Sequence, residues 1–304
     1  MTRTPRSVRS TLMRSVIILL RYQREFRSAE RTLGGAMDRV VRPEPYAPPR
    51  FLDRSVRISA RRVEGWPVYT VSPKTGRTGR RAVYAHGGAW VHEISFWHWR
   101  LLAGLAEATG TEFVVPIHPL VPLGTAGSVV PVFADLTEEL VEEVGGENVA
   151  LLGDSAGGTI ALATAMLLLL RDRGVSAPRD VVLIAPALDL SFTDPLIPRI
   201  QPTDPWLAVP GARAAAERWR GELPLSHPLV SPIHGSLDGL GRITLFSGTH
   251  DILNADALAL DRKARDQRHP LDFHQLPNML HNYPLLPIPE GAAARRTIAA
   301  VLTR

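Results

Sequence analysis

Val149-Ala150-Leu151-Leu152-Gly153-Asp154-Ser155-Ala156-Gly157-Gly158 is the stretch whose reading decides the fold. Its first four residues are apolar, as a strand covered on both faces requires. A GxSxG pattern follows, and then a long apolar run through Thr159, Ile160, Leu162 and Met166 to Leu170. Small residues on either side of a serine permit a tight strand-to-helix turn that lifts its Oγ clear of the backbone. Ser155 is therefore a candidate nucleophile. GxSxG also arises by chance in glycine-rich turns, and the strand before and helix after distinguish this occurrence from such matches. The helix is expected to end at Arg171 and Arg173 ahead of Gly174, where cations and glycine suit a C-terminus. Its N-terminus directs the free Ala156 N–H and the positive end of the helix dipole toward the serine.

About seventy residues upstream, Arg80 to Ala85 reads as a short strand ending in His86-Gly87-Gly88-Ala89-Trp90. Glycines at such a position let backbone N–H groups approach a substrate carbonyl with no side chain between. The loop resembles the HGGG-type oxyanion loop of lipases and esterases. On that resemblance the N–H groups of Gly88 and Ala89 join that of Ala156 as oxyanion donors, with Ala89 where a third glycine is usual.

The remaining partners are sought in the chain order serine, acid, histidine. Ile243 to Ser247 reads as a strand ending in Gly248-Thr249-His250-Asp251. This puts the Asp251 carboxylate just past a strand's C-terminal end, where open α/β sheets gather ligand-binding residues. Asp256 competes for the role of acid, although its place two residues after Asn254 also fits a helix start. After another strand-like stretch, Leu271 to Gln275, His281 lies among Pro277, Asn278 and Pro284, which indicate a loop. His281 is the candidate base by its place in the order. His274 falls inside the strand, and His250 directly precedes the acid.

With these residues in view, the chain resembles the α/β-hydrolase superfamily and its hormone-sensitive-lipase-like branch, the bacterial family IV esterases. The resemblance runs from about Arg80 to the C-terminus. It rests on His86 to Trp90, Gly153 to Gly158, Ser231-Pro232, Gly248 through Asp256, and Met279 through Tyr283. It implies a cofactor-free carboxylic ester hydrolase with a helical cap, acting on small-molecule esters of short to medium acyl chain. Two departures stand out: Ala89, and His118-Pro119-Leu120-Val121-Pro122, where the branch carries a tyrosine, an arginine and a proline-acidic pair. They leave open a noncatalytic ligand-binding relative. Amide hydrolysis or acyl transfer by the same residues is a third reading.

Strand-like runs at Trp66 to Val71, Arg80 to Ala85, Phe113 to Ile117, Val149 to Leu152, Val181 to Ala185, Ile243 to Ser247 and Leu271 to Gln275 mostly alternate with helical segments. The pattern predicts an α/β fold, a mostly parallel sheet with helices on both faces, and Val56 and Ile58 suggest an antiparallel edge. Residues 1–50 read as an N-terminal cap or arm and 51–304 as the catalytic domain, with a proline-rich cap insertion at about 191–227 and a short helix from Ala212 to Arg220. In that insertion, Trp206, Leu207 and Trp219 either line an apolar acyl-binding surface or anchor the insert to the core.

The first 31 residues hold eight arginines and two glutamates, a net +6, whereas the whole chain carries +5. A basic excess confined to one arm argues against nucleic-acid binding by the core. The arm either contacts an anionic membrane surface through Leu12, Val16, Ile17, Leu19 and Leu20 or forms a solvated cap helix. Val16 to Leu20 is too short to span a bilayer or to serve as a signal-peptide core, so a cytoplasmic location is expected. The chain has no cysteine, which excludes thiol catalysis. His92-Glu93 lacks a second histidine at zinc-helix spacing, so no metal site is expected. His92, Trp97, His98 and Trp99 either border the site or form a packed amphipathic segment.

Overall fold

Eight strands form one sheet in a computed structural model that describes residues 6–171, 174 and 176–304. The chain opens with helices α1 (Val8–Leu20), α2 (Gln23–Phe26) and α3 (Ala29–Val41), followed by strands β1 (Val56–Val63), β2 (Trp66–Pro73) and β3 (Arg81–Ala85). Helix α4 (Phe96–Thr109), β4 (Glu112–Pro116), α5 (Ala126–Val144), β5 (Val149–Asp154), α6 (Ala156–Arg171) and β6 (Asp180–Ile184) come next. Helices α7 (Ile197–Ile200) and α8 (Val209–Trp219) precede β7 (Arg242–His250), α9 (Asn254–Asp266), β8 (Leu271–Leu280) and α10 (Pro289–Leu302). Arg173, expected at the end of α6, lies outside the described residues.

The strand order is β1-β2-β4-β3-β5-β6-β7-β8. Strand β2 runs antiparallel to both neighbours and the others pair in parallel, so β1 is the antiparallel edge that Val56 and Ile58 suggested. Period-two alternation divides each central strand between two apolar layers. Val149, Leu151, Val181 and Leu183 face Phe133, Ile160 and Trp219. Ala150, Leu152, Val182 and Ile184 face Trp99, Leu102 and Ile298. A strand covered on both sides reads as a continuous apolar run, as β6 does from Val181 to Ile184, while its buried first residue, Asp180, is paired with Arg179.

Strand β7 runs three residues past the sequence reading, to His250, and β8 departs further. Pro277 and Asn278, taken as loop residues, belong to β8, which continues to Leu280. Strand β8 is the sheet edge, where a proline's missing N–H leaves no ladder bond unmade. Asn278 takes a left-handed backbone, φ +60°, opposite a register shift between Gly248 and His250. Its N–H donates to Thr249 Oγ1 at 2.7 Å. His281 thus follows the strand directly.

The N-terminal helices meet the 191–227 insertion above the C-terminal ends of the parallel strands, α2 and α3 both packing on α8. Trp219 is fully buried and stacks on Trp90 of the glycine loop, ring centroids 5.3 Å apart. That residue anchors the insertion, whereas Trp206 and Leu207 face the cavity described below. Among the described residues no helix is long and apolar enough to cross a membrane.

Helix α6 lies so close to β3 that a Cβ on Gly157 would stand 2.0 Å from the Ala85 carbonyl oxygen. Backbone cannot give way as a side chain does, so Gly157→Ala is expected to destabilise the fold by about 3 kcal/mol. Urea denaturation beside wild type checks this; equal midpoints would show that the helix can move.

Candidate active site

Ser155 occupies the single-residue turn between β5 and α6 with φ +52°, a left-handed conformation that a serine adopts only when its surroundings enforce it. Its N–H donates to Ile184 O at 2.8 Å, and its carbonyl accepts from the N–H groups of Gly158 and Ala187. These bonds fasten the turn to the end of β6 and aim Oγ away from the sheet.

Ser155 Oγ lies 3.0 Å from His281 Nε2, and His281 Nδ1 lies 2.8 Å from Asp251 Oδ2. All three residues are buried. A carboxylate can only accept, so Nδ1 carries the ring proton and Nε2 is free to accept from the serine hydroxyl. Burial disfavours a charged ring at His281, but the attraction and hydrogen bond from Asp251 outweigh it and raise the imidazole above its ordinary range. Asp251 is itself held by the Leu253 N–H, which donates to Oδ1 at 2.9 Å.

The competing residues lie elsewhere. Asp256 accepts from the N–H groups of Leu188 and Asp189 at 2.6 and 3.0 Å, and burial lifts its carboxyl to about 7. It braces the segment after β6 and does not touch His281. His250 meets the Arg6 guanidinium, and His274 stacks on Phe246.

Opposite the serine, the loop after β3 turns with positive φ at Gly88 (+127°), Ala89 (+52°) and Trp90 (+58°). A Cβ on Gly88 would stand 2.5 Å from His92 O, so this position admits only glycine. Ala89 bears its left-handed backbone without that relief. The N–H groups of Gly88, Ala89 and Ala156 have no partner among the described residues. Beneath the loop His86 and His118 stack face to face, centroids 4.4 Å apart and planes 12° from parallel. Burial pushes both rings below their ordinary range, His118 to about 4, so they pack as neutral rings. The sequence marked His118 only as a departure; its ring forms the floor of the loop.

Asp154 joins these pieces, and sequence reasoning passed over it as the variable residue of GxSxG. Its Oδ1 accepts from Tyr84 Oη at 2.7 Å and from the Gly87 N–H at 2.9 Å. Its Oδ2 accepts from Asn282 Nδ2 at 2.7 Å and lies 3.2 Å from His98 Nε2. Burial would raise this carboxyl, but attraction to His98 and the hydrogen bonds from His98, Tyr84 and Gly87 hold it down at about 2. The available signal was a charge at the end of an otherwise apolar buried strand, which demands partners. Asp204 is a second omission. It ties the insertion to the acid loop, Oδ1 accepting from Trp206 and Leu207 N–H and Oδ2 from Ile252 N–H.

Ser155 opens on two cavities. The larger, about 800 Å³, is lined by Gly88, Ala89, His92, His98, Trp206, His281 and Asn282, and on its outer side by Leu20, Tyr22, Arg24 and Phe26. The smaller, about 20 Å³, is bounded by Ala89, Trp90, Ala156, Ala187, Phe192, Leu207, Ala212 and Leu253. His281 borders only the first. His92 and His98 border it too, while Trp99 packs in the core.

A family model for the alpha/beta hydrolase fold matches residues 82–285. The chain belongs to this family. It is 32% identical over 230 residues to an acetyl-hydrolase of Streptomyces hygroscopicus, covering 74% of this chain and 75% of that one. It is 35% identical over 224 residues to a triacylglycerol lipase of Mycobacterium tuberculosis, covering 73% of this chain but only 46% of that one. A putative esterase from Staphylococcus aureus superposes with a TM-score of 0.86 at 24% identity over 94% of this chain and 99% of its own. A hormone-sensitive lipase homologue from a metagenome library gives 0.80 at 18% over 99% of both chains. At such identities the superpositions establish the shared fold.

Because Asp154 is depressed in the fold, its contribution to stability is full above the ordinary aspartate value near ~3.9 and disappears as pH falls through about 2. Asp154→Asn is expected to cost ~2 to 3 kcal/mol at neutral pH, with the difference from wild type narrowing below about pH 4. Urea titrations at several pH values test this, and a constant difference would contradict it.

Proposed function

We propose that this protein is a serine carboxylic ester hydrolase that cleaves short-chain acyl esters of larger alcohols through an acyl-enzyme on Ser155. The observation that carries this reading is the relay from Ser155 Oγ through His281 to Asp251, at 3.0 and 2.8 Å. Supporting it are the names of the relatives, a triacylglycerol lipase and an acetyl-hydrolase.

In the proposed reaction His281 Nε2 takes the proton of Ser155 as Oγ attacks the ester carbonyl. Asp251 keeps the ring in the required tautomer and stabilises the imidazolium. The oxyanion is bound by the N–H groups of Gly88, Ala89 and Ala156, with the α6 dipole behind Ala156. His281 returns its proton to the alkoxide as the carbon–oxygen bond breaks, and the alcohol leaves. Water, deprotonated by the same nitrogen, attacks the acyl-enzyme; the acid departs and Ser155 regains its proton.

The two cavities support a placement of the two halves of the ester. The leaving oxygen must lie beside the imidazole that protonates it, and His281 borders only the large cavity. The alcohol therefore occupies the large cavity and the acyl group the small one, whose about 20 Å³ admits one water-sized group between Phe192, Ala212 and Leu253.

Fluorophosphonate is expected to add once to the wild type and not to Ser155→Ala by intact mass, and Ser155→Ala is expected to lower kcat by ~10⁴-fold or more. An unlabelled wild type, or a fully active Ser155→Ala, would sink the assignment. The neutral imidazole is the active form, so kcat/KM should fall as pH drops through the raised His281 value, with the acid limb above ~6.5. Asp251→Asn should move that limb to lower pH. Among p-nitrophenyl esters, acetate should exceed octanoate in kcat/KM, and Phe192→Ala should shift the ratio toward the longer chain by ~tenfold.

A further inference from the structure

Helix α1 exposes a row of large apolar side chains. Val8, Leu12 and Leu19 are 86%, 64% and 79% exposed. At 3.6 residues per turn they fall within about 40° of one another around the helix, with Val16 beside them. The opposite side carries the buried Ile17 and Ser10, which hold α1 on the body of the protein. The row thus faces outward because the fold uses the other side, and it belongs to no interface among the described residues.

The charge around this row is predominantly basic, with Glu290 at the Ser7 cap of α1 and Glu30 between Arg27 and Arg31 as the acids beside it. Arg9, Arg21, Arg24, Arg27 and Arg31 are exposed, and none forms an ion pair among the described residues. The nearby Glu25 is engaged by Arg39 and His92. Helix α1 also ends at the cavity mouth. Leu20, Arg21 and Tyr22 border the large cavity, Tyr22 stacks on Trp206 at 5.4 Å, and the Trp206 ring lies 6.0 Å from that of His281.

An in-plane amphipathic helix with an apolar ridge and flanking arginines has the chemistry of a bilayer surface contact. We propose that α1 docks this protein on an anionic phospholipid surface, with Val8, Leu12 and Leu19 inserted among the acyl chains and the arginines among the headgroups. The mouth of the cavity then opens at the membrane. Charge favours this occupant over a second copy of the chain, because a symmetric pairing through α1 would bring two clusters with more arginines than acids together. The inference rests on the surface alone and holds whatever reaction Ser155 performs.

Sedimentation of the full chain with vesicles tests it. The protein is expected to pellet with phosphatidylcholine vesicles containing phosphatidylglycerol, and to remain in the supernatant with phosphatidylcholine alone or in about 1 M salt. Leu12→Glu combined with Leu19→Glu should reduce the bound fraction about tenfold, with an unchanged thermal midpoint and unchanged hydrolysis of p-nitrophenyl acetate in solution. The pair Leu12→Ser and Leu19→Ser, which adds no charge, should bind between the two. A wild type that stays in the supernatant with anionic vesicles overturns the proposal, as does a glutamate pair that binds like wild type. A dimer in size-exclusion chromatography that the glutamate pair converts to monomer, with no vesicle binding by wild type, assigns the ridge to a second copy instead.

Discussion

A single buried carboxylate organises the site. Asp154 receives Tyr84 from β3, the Gly87 N–H from the glycine loop and Asn282 from the residue after His281, and it lies within hydrogen-bond distance of His98 on α4. A charge in the interior is tolerable only when its lone pairs are occupied, so each of these segments is drawn to one point. Three parts of the chain that are remote in sequence, near positions 87, 155 and 281, acquire fixed mutual positions because they share this anion. Electrostatic catalysis depends on such fixed positions, since donors that must reorganise during the reaction contribute less.

Around that anchor the backbone carries strain at the candidate site residues. Ser155, Ala89 and Trp90 all hold left-handed conformations without being glycine. The surrounding ladder enforces them: Ser155 bonds across to β6, and the stacked His86 and His118 lie beneath the loop. Residues in sparsely populated backbone regions persist only where neighbouring structure over-determines them, and they concentrate at functional sites. His118 and Ala89, which depart from the related branch, are both accommodated here. A neutral ring stack supplies the floor, and a left-handed alanine retains the turn.

The 191–227 insertion and the N-terminal helices divide the space in front of Ser155 into two cavities. Trp219 and Trp90 lock the insertion to the loop, and Asp204 locks it to the acid turn, so Leu207 and Phe192 close off a small apolar space next to Ser155. The N-terminal helices form the other wall, and there the lining turns polar and charged. The same helices turn their free side, apolar and arginine-rich, outward.

Much of this was legible in the sequence because local patterns carried it. Continuous apolar runs marked the buried strands, and the strand–GxSxG–helix order marked the serine. The position of Asp251 after a strand and of His281 later in the chain selected the two residues that line up behind Ser155. The loop expected around Pro277 became strand, since an edge position does not require the N–H that proline lacks. The roles of Asp154, Asp204 and His118 had no local signature. Each acts through at least one partner tens of residues away, Ile252 for Asp204, His86 for His118 and Asn282 for Asp154, and only the packed sheet brings those partners within hydrogen-bond or stacking distance. By itself the sequence determined which residue types stand at the ends of which strands, because periodicity and turn chemistry act over a few neighbours. The tertiary structure alone decided which carboxylate faces the imidazole, which tryptophan lines the cavity and which face of α1 is left uncovered, because burial and distance are properties of the whole chain.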